Sequence, residues 1–139
     1  MCIFCDIARG SAAAHVVLDD EHTLAFLDIR PLFPGHCLLV PKVHLETLPE
    51  LPVELIEPLF RNARLLAEVV PQAMEAEGSF VAINNKVSQS VPHLHVHVVP
   101  RRRKDGLRGF FWPRHKYRSE DEMAGIAERL RAAVGATRG

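Results

Sequence analysis

The segment Gln89–Val99, QSVPHLHVHVV, places three histidines at alternate positions among branched apolar residues. Side chains alternate between the two faces of a β-strand, so His93, His95 and His97 are predicted to share one face. Imidazole titrates near neutral pH and can act as a nucleophile, a proton donor or a metal ligand. The pattern therefore predicts a strand with an apolar buried side and a site for phosphate chemistry on its other side.

The chain before this strand predicts an α+β fold with a mainly antiparallel sheet. The β-rich runs His15–Asp20 and Thr23–Ile29 are separated by two polar residues, which is typical of a hairpin. A third strand, His36–Pro41, follows a loop rich in Pro and Gly, and Ser79–Asn84 predicts a fourth. The histidine strand, His93–Val99, completes the set.

A central helix is predicted within Glu50–Glu77, where apolar residues recur at steps of three and four. Pro58 and Pro71 interrupt this pattern, so a main helix is expected after the first proline and a kink or break near the second. Ser119 followed by acidic residues predicts the start of a C-terminal helix over 119–134.

Composition indicates a soluble protein with one domain over residues 1–139. The chain is 47% apolar and 24% charged, and no apolar run approaches the roughly 20 residues that cross a bilayer. The N-terminus lacks the features of a signal peptide, so we expect a cytoplasmic protein without a membrane partner. Net charge is zero, yet residues 101–118 hold eight basic residues and one acidic residue. This basic and aromatic extension suggests an anionic partner, or a solvated loop that leads into the helix.

Two cysteines near the N-terminus, Cys2 and Cys5, have the C-x-x-C spacing of many zinc sites. With His44, which follows a predicted strand, and His93 they would complete a Cys2His2 set if the fold brings them together. Free reduced thiols are the alternative. The triad histidines also leave two options open, because they could bind zinc themselves or include a covalent nucleophile.

The run His93–Val99 resembles the signature of the histidine triad (HIT) family, H-x-H-x-H-x-x with apolar x. CIFCDI, AFLDIRPLFPGHCLLVPKVH, AINN and QSV resemble other family segments, so the resemblance covers about Cys2–Pro100. It implies a HIT-like fold, a homodimer and a hydrolase or transferase that forms a nucleotidyl-histidine intermediate.

The resemblance also implies roles for individual residues. His95 is expected to be the nucleophile, His97 to stabilise the phosphate oxygens, and Ser90 to relay a proton to the leaving group. Substrate contacts are expected from Asp28 to the ribose hydroxyls, from Asn84 and Gln89 to the phosphate, and from Ile3, Phe4, Ile7, Phe26, Leu27 and Ile29 around the base. Structural zinc is expected on Cys2, Cys5, His44 and His93, with no organic cofactor.

The sequence therefore predicts a nucleotide hydrolase that cleaves at the α-phosphate of a nucleoside 5'-phosphate derivative. Dinucleoside polyphosphates are favoured as substrates because the basic extension would suit additional phosphates. The alternatives are a purine nucleoside phosphoramidase, a deadenylase of nucleic acid ends favoured only by the RRRK run, and a non-catalytic nucleotide-binding module. Nucleic acid is the less favoured partner. One departure from the family pattern is the loop Asn85–Ser88, NKVS, which has no glycine.

Overall fold

Within the part of the chain that the structure describes, five antiparallel strands form the sheet that carries the histidine segment, in the order β1-β2-β3-β5-β4. The computed structural model describes residues 1–107 and 114–138. The chain divides into two compact units, Met1–Asp105 and Gly106–Gly139. The strands are β1 Val16–Asp19, β2 Thr23–Leu27, β3 Cys37–Pro41, β4 Gly78–Ile83 and β5 Val96–Arg101, and the helices are α1 Ile3–Ala8, α2 Val53–Ala73 and α3 Glu120–Arg138. The predicted α+β class, the hairpin and the central helix are confirmed.

Two apolar clusters cover the two faces of the sheet. The larger one joins α2 to the sheet and includes Leu39, Leu59, Leu66 and Val98, all nearly or fully buried. The smaller one lies on the opposite face and comprises Phe4, Leu24, Phe26, Leu38 and Val40. Because successive residues of a strand point to opposite faces, β3 supplies both clusters. The second face is the one on which the candidate site lies.

Helix α2 is continuous from Val53 to Ala73, and both Pro58 and Pro71 lie inside it. The prediction that the main helix begins only after Pro58 is therefore wrong, and Pro71 does not break the helix. A proline inside a helix costs about 3 kcal/mol, whereas burying one Leu or Val side chain contributes about 1.5–3 kcal/mol. Several such side chains of α2 are buried against the sheet, so packing outweighs the loss of two backbone hydrogen bonds.

Strand β5 begins at Val96, three residues later than the sequence pattern predicts. Its ladder with β3 covers the pairs Cys37↔Val98, Leu38↔His97 and Leu39↔Val96. Before that point the chain bonds to the loop after β3, since the Leu94 amide donates to the Leu45 carbonyl at 2.8 Å. His93 and His95 therefore precede the regular strand, although the Leu94 amide between them is hydrogen-bonded to the loop after β3.

The second unit contains α3, which begins one residue after Ser119. The Ser119 hydroxyl accepts a hydrogen bond from the Glu122 amide at 3.1 Å, as an N-cap does. The predicted start of the C-terminal helix is confirmed, and its end lies at Arg138 rather than near residue 134. Phe110, Phe111 and Trp112 of the extension lie outside the described residues. Among the described helices, none has the length and apolar character needed to span a membrane.

Candidate active site and metal centre

His95 is almost fully buried, with 4% of its surface exposed, beside the ring of Phe4. The two ring centroids are 5.2 Å apart at an interplanar angle of 83°. The Nδ1 atom of His95 lies 2.7 Å from the His93 carbonyl oxygen. A carbonyl oxygen only accepts hydrogen bonds, so Nδ1 carries the proton and Nε2 holds the lone pair. His95 is therefore held in the tautomer that an imidazole nucleophile requires.

His97 shares the cleft face with His95, and the two ring centroids are 4.9 Å apart. Burial, together with the neighbouring His95 and His36 rings, lowers the pKa of His97 to about 4. The ring is thus neutral at neutral pH and has one N–H to donate. Its Nδ1 atom lies 3.0 Å from Nε2 of His36, a residue that the sequence analysis did not select.

The two histidines line a cleft of about 530 Å³, a volume suited to one small ligand. Of the residues predicted to serve catalysis or bind the substrate, those that line it are Ile3, Phe4, Ile7, Phe26, Leu27, Asp28, Ile29, Ser90, His95 and His97. The structure therefore brings together the proposed nucleophile, the hydroxyl of Ser90, one carboxylate and a largely apolar wall.

The carboxylate of Asp28 stands at this cleft just after β2 ends. Its Oδ1 atom accepts a hydrogen bond from the Arg30 amide at 2.8 Å, which fixes the turn. Its Oδ2 atom lies 3.7 Å from Nε2 of His36, which exceeds normal hydrogen-bond distance. An ionised carboxylate has spare acceptor sites, so Asp28 can accept hydroxyl hydrogens of a ligand in the cleft.

Asn84 and Gln89 do not line the cleft. The Gln89 amide accepts from the Lys86 backbone N–H at 2.8 Å and donates to the Glu46 carbonyl at 2.6 Å. The Asn84 side chain donates to the Ser88 carbonyl at 3.3 Å. Both amides therefore brace the loop before the triad, and their contact with phosphate stays a prediction.

The loop Asn85–Ser88 turns tightly although it contains no glycine. Lys86 and Ser88 have φ values of 71° and 61°, in the left-handed region that glycine adopts most easily. The bonds that Gln89 and Asn84 make to this loop stabilise both residues in that conformation.

Cys2, Cys5, His44 and His93 form one cluster, with their four ligand atoms within 4.8 Å of one another. Both cysteines lie at the N-terminus of α1. Cys2 is the N-cap residue, and its thiol accepts a hydrogen bond from the Cys5 amide at 3.4 Å. The predicted proximity of the four residues is thus found in the structure.

The donor set fits a tetrahedral zinc ion. His93 Nε2 lies 2.8 Å from the Pro41 carbonyl and must carry the proton, which leaves the Nδ1 lone pair facing the cluster. That Nδ1 atom is 3.3 Å from the Cys2 sulfur, 3.5 Å from the Cys5 sulfur and 3.3 Å from His44 Nδ1. Donor atoms around tetrahedral zinc stand roughly 3.3–3.8 Å apart. The Pro41 carbonyl is also the kind of outer partner that orients histidine ligands of metals.

The basic run after β5 is largely paired within its own unit. Arg101 bonds to Asp105 through two nitrogens, at 2.6 and 3.1 Å, and Arg103 Nε bonds to Glu77 at 2.9 Å. Arg102 donates to the Met74 carbonyl. Arg102 and Arg103 therefore link the end of β5 to the segment after α2, and Arg101 stabilises the turn that follows β5.

Sequence reasoning missed several residues at the site. Ala13, Ala14, Arg30, Leu38 and Val91 also line the cleft. His36 was also missed; it is buried and does not line the cleft. The sequence signal that could have found it is its position two residues before Leu38 in the predicted strand His36–Pro41. Residues two apart along a strand share a face, and Leu38 pairs with His97, so His36 belongs to the triad's side of the sheet.

Sequence comparison finds similar proteins in several organisms. A family model described as "HIT domain" matches residues 9–104. "Protein hit" of Bacillus subtilis is 38% identical, with 93% of this chain and 94% of that protein covered. "Adenosine 5'-monophosphoramidase HNT1" of Saccharomyces cerevisiae is 36% identical and covers 76% and 66% of the two chains. "Adenylylsulfatase HINT3" of Arabidopsis thaliana is 32% identical and covers 76% and 55%.

Solved structures include close matches over most of the chain. A HIT family protein from Bacillus subtilis superposes with a TM-score of 0.86 at 36% identity, with 94% of this chain and 95% of that chain covered. A zinc-bound histidine triad family protein from Mycobacterium smegmatis superposes with a TM-score of 0.71 at 34% identity, over 94% and 96% of the two chains.

Proposed function

Because the chain belongs to the HIT domain family, we propose that it is a hydrolase that releases a nucleoside 5'-monophosphate from a substrate with a leaving group on its α-phosphate. The observation that carries this proposal is the hydrogen bond from His95 Nδ1 to the His93 carbonyl. It leaves Nε2 as the nucleophilic nitrogen of a ring that lines a cleft of nucleotide size. The relatives named as a phosphoramidase and an adenylylsulfatase support the same reaction class.

In the proposed reaction, His95 Nε2 forms a bond to the α-phosphorus while the bond from phosphorus to the leaving group breaks. Ser90, which lines the same cleft, passes its hydroxyl proton to the departing group, and the water that attacks in the next step returns a proton to Ser90. His97 donates its N–H to a phosphate oxygen and stabilises the charge that develops there. Water then attacks the phosphorus, the N–P bond breaks, and His95 is restored as the monophosphate leaves.

We propose that the leaving group of the substrate is small, such as the amine of a phosphoramidate or a sulfate, and is not a second nucleotide. The basic extension was the reason to favour dinucleoside polyphosphates. Arg101 and Arg103 bond to carboxylates of their own unit, and Arg102 bonds to a backbone carbonyl, so this reason is weakened. The relatives whose printed names state an activity also act on nucleotides with small leaving groups.

The test compares three substrates: adenosine 5'-phosphoramidate, adenylyl sulfate and diadenosine tetraphosphate. AMP release and the intact mass of the protein are followed after rapid mixing. We expect the fastest release from one of the first two, with a transient adenylyl adduct on the protein. Fastest release from diadenosine tetraphosphate would contradict the small leaving group and leave the hydrolase in place. No release and no adduct with any of the three would contradict the hydrolase.

We also propose that the chain forms a homodimer through strand β4. This strand is one edge of the sheet, and its central residue Val81 is 43% exposed. Ile56 and Phe60 of α2 are exposed as well, and the Ser79 hydroxyl that bonds to Ala67 places β4 beside that helix. An exposed edge strand next to apolar side chains favours pairing with another copy of the chain.

Val81→Lys is expected to convert a wild-type dimer to a monomer at micromolar concentration, because it places a charge in the centre of the paired edge. Light scattering coupled to size exclusion measures the mass. Val17→Lys on β1, the other edge, is the matched control, since Val17 is similarly exposed at 51% and β1 carries a bulge that disfavours pairing. A wild-type monomer, or two equally dimeric variants, would contradict the proposed interface.

We propose that Cys2, Cys5, His44 and His93 hold structural zinc. Four protein ligands close a tetrahedral site, so the ion would supply structural support and no direct chemistry. The donor separations and the zinc-bound relative support this assignment.

A further inference from the structure

His36 contacts the ring of His97 but does not line the cleft, and only 3% of its surface is exposed. Its Nε2 atom is 3.0 Å from His97 Nδ1, and the ring centroids are 5.2 Å apart. The residue immediately precedes β3, so the β3 and β5 ladder holds the two rings together. At this distance one of the two buried imidazoles donates a hydrogen bond and the other accepts it.

The backbone amide of Leu32 sets the direction. It lies 3.1 Å from His36 Nδ1, and an amide N–H only donates. His36 Nδ1 therefore holds a lone pair, and the single proton of the neutral ring sits on Nε2. Burial lowers the pKa of His36 and of His97, so both rings are neutral at neutral pH. His36 Nε2 donates to His97 Nδ1, which leaves the proton of His97 on its Nε2.

We propose that His36 is a positioning residue through which the Leu32 amide fixes His97 as the tautomer with its proton on Nε2. This inference rests on the proposed function, since it specifies which atom of His97 meets the phosphate. His95 has the reverse arrangement, with its proton on Nδ1. The two adjacent rings therefore offer a lone pair for attack and an N–H for the phosphate oxygens.

A divalent metal ion is the other use of this cluster, because Asp28, His36 and His97 place three ligand atoms within 4.8 Å of one another. A neutral His36 that bound a metal through Nε2 would carry its proton on Nδ1. That proton would point at the Leu32 N–H, so two donors would face each other at 3.1 Å. The hydrogen bonds of His36 therefore favour the proton chain over a metal.

Asp28 does not compete for the same proton. Its Oδ2 atom is 3.7 Å from His36 Nε2, compared with 3.0 Å from that nitrogen to His97. Distances above about 3.5 Å do not form a direct hydrogen bond of this kind. The His36 proton thus points to His97, and Asp28 keeps acceptor capacity for a ligand.

The tautomer of His97 determines whether an N–H or a lone pair of its ring faces the substrate. With the proton on Nε2, His97 donates to a phosphate oxygen, whereas the other tautomer would present a lone pair to that anion. Loss of one preorganised donor of this kind lowers kcat by about 10²–10³-fold. Because His97 is neutral, its tautomer decides between these two cases.

Two substitutions of His36 separate the proton chain from simple space filling. In His36→Gln the side-chain amide reaches the former Nε2 position and can still donate to His97. In His36→Asn the shorter amide reaches only the former Nδ1 position and cannot. We expect His36→Asn to lower kcat by about 10² or more with little change in KM, and His36→Gln to stay within about tenfold of wild type.

Long-range ¹H–¹⁵N correlation spectra of the histidine rings give a readout that does not depend on turnover. We expect wild-type and His36→Gln protein to show His97 protonated at Nε2, and His36→Asn to lose this preference. Protonation of wild-type His97 at Nδ1, or an unchanged tautomer in His36→Asn, would overturn the assignment. The expected tautomers in a protein that cleaves no nucleotide would support the assignment while contradicting the proposed function.

Discussion

Replacing His95 with alanine is expected to lower AMP release by about 10⁴-fold or more, the scale seen when a covalent nucleophile is removed. The physical reason is that no other described side chain combines a place in the cleft with a free imidazole lone pair. His97 lines the same cleft, yet its Nδ1 accepts from His36 and its Nε2 carries the proton. It cannot replace His95 without losing its own contact to phosphate.

Binding of the product is expected to survive this substitution. His95→Ala leaves the apolar wall and the Asp28 carboxylate in place, so the Kd for AMP should stay within about tenfold of the wild-type value. Titration calorimetry measures that Kd, and initial rates at saturating substrate measure the loss in kcat. Loss of turnover with retained binding is the signature of an interaction made only during the reaction.

His22→Ala is the matched control for this experiment. His22 is an exposed histidine in the turn between β1 and β2, and its ring lies 3.7 Å from the Glu21 carboxylate. We expect its loss to leave both kcat and AMP binding unchanged. Wild-type turnover in His95→Ala, or an adenylyl adduct that persists in this variant, would place the chemistry on another residue and contradict the assignment of His95 as the nucleophile.

The strands were predictable because their signals are local. Alternation over His93–Val99 and the short polar break between Asp20 and Thr23 identify strand faces and a hairpin without knowledge of the rest of the chain. The path of α2 through Pro58 and Pro71 was not predictable from such signals. It depends on how much apolar surface the sheet offers to the helix, which is a property of the folded chain.

In the candidate site too, some features follow from local sequence signals and others depend on the folded chain. The cleft wall and the proposed zinc ligands follow from residue type and from the family resemblance. His36 was missed because its role depends on a backbone amide, at Leu32, that no residue type reveals. Asn84 and Gln89 have the side chains expected of phosphate contacts, but whether an amide bonds to ligand or to backbone depends on loop geometry. The hydrogen-bond partners of polar side chains are therefore the part of the site that residue types and local patterns do not predict.

Removal of the proposed zinc ion is the second change expected to have a large effect, because its ligand cluster joins α1 to the segment that carries the proposed nucleophile. Cys2 and Cys5 lie at the start of α1, and His93 lies two residues before His95. Phe4 on the same helix contacts the rings of both histidines, with centroids 5.9 and 5.2 Å apart. Loss of the ion would therefore loosen the N-terminal segment and the cleft wall together.

We expect one zinc per chain in the purified protein, and none in the double variant Cys2→Ser, Cys5→Ser. Structural zinc contributes directly to folding free energy. A loss of a few kcal/mol lowers Tm by about 10 °C or more in a domain of this size. Elemental analysis gives the zinc content, and thermal unfolding with and without a strong chelator gives the change in Tm.

Cys37→Ala is the control that separates metal binding from the loss of a thiol. Cys37 is buried in the core on β3, where its thiol donates to the Gly35 carbonyl at 3.4 Å, outside the cluster. This variant is expected to keep one zinc per chain and to respond to the chelator as wild type does, even if its core is less stable. Because the His93 carbonyl holds the tautomer of His95, kcat should fall together with zinc content in the double variant and stay high in Cys37→Ala. Wild-type protein that contains no zinc after growth in zinc-supplemented medium, and whose Tm a chelator leaves unchanged, would contradict the metal site.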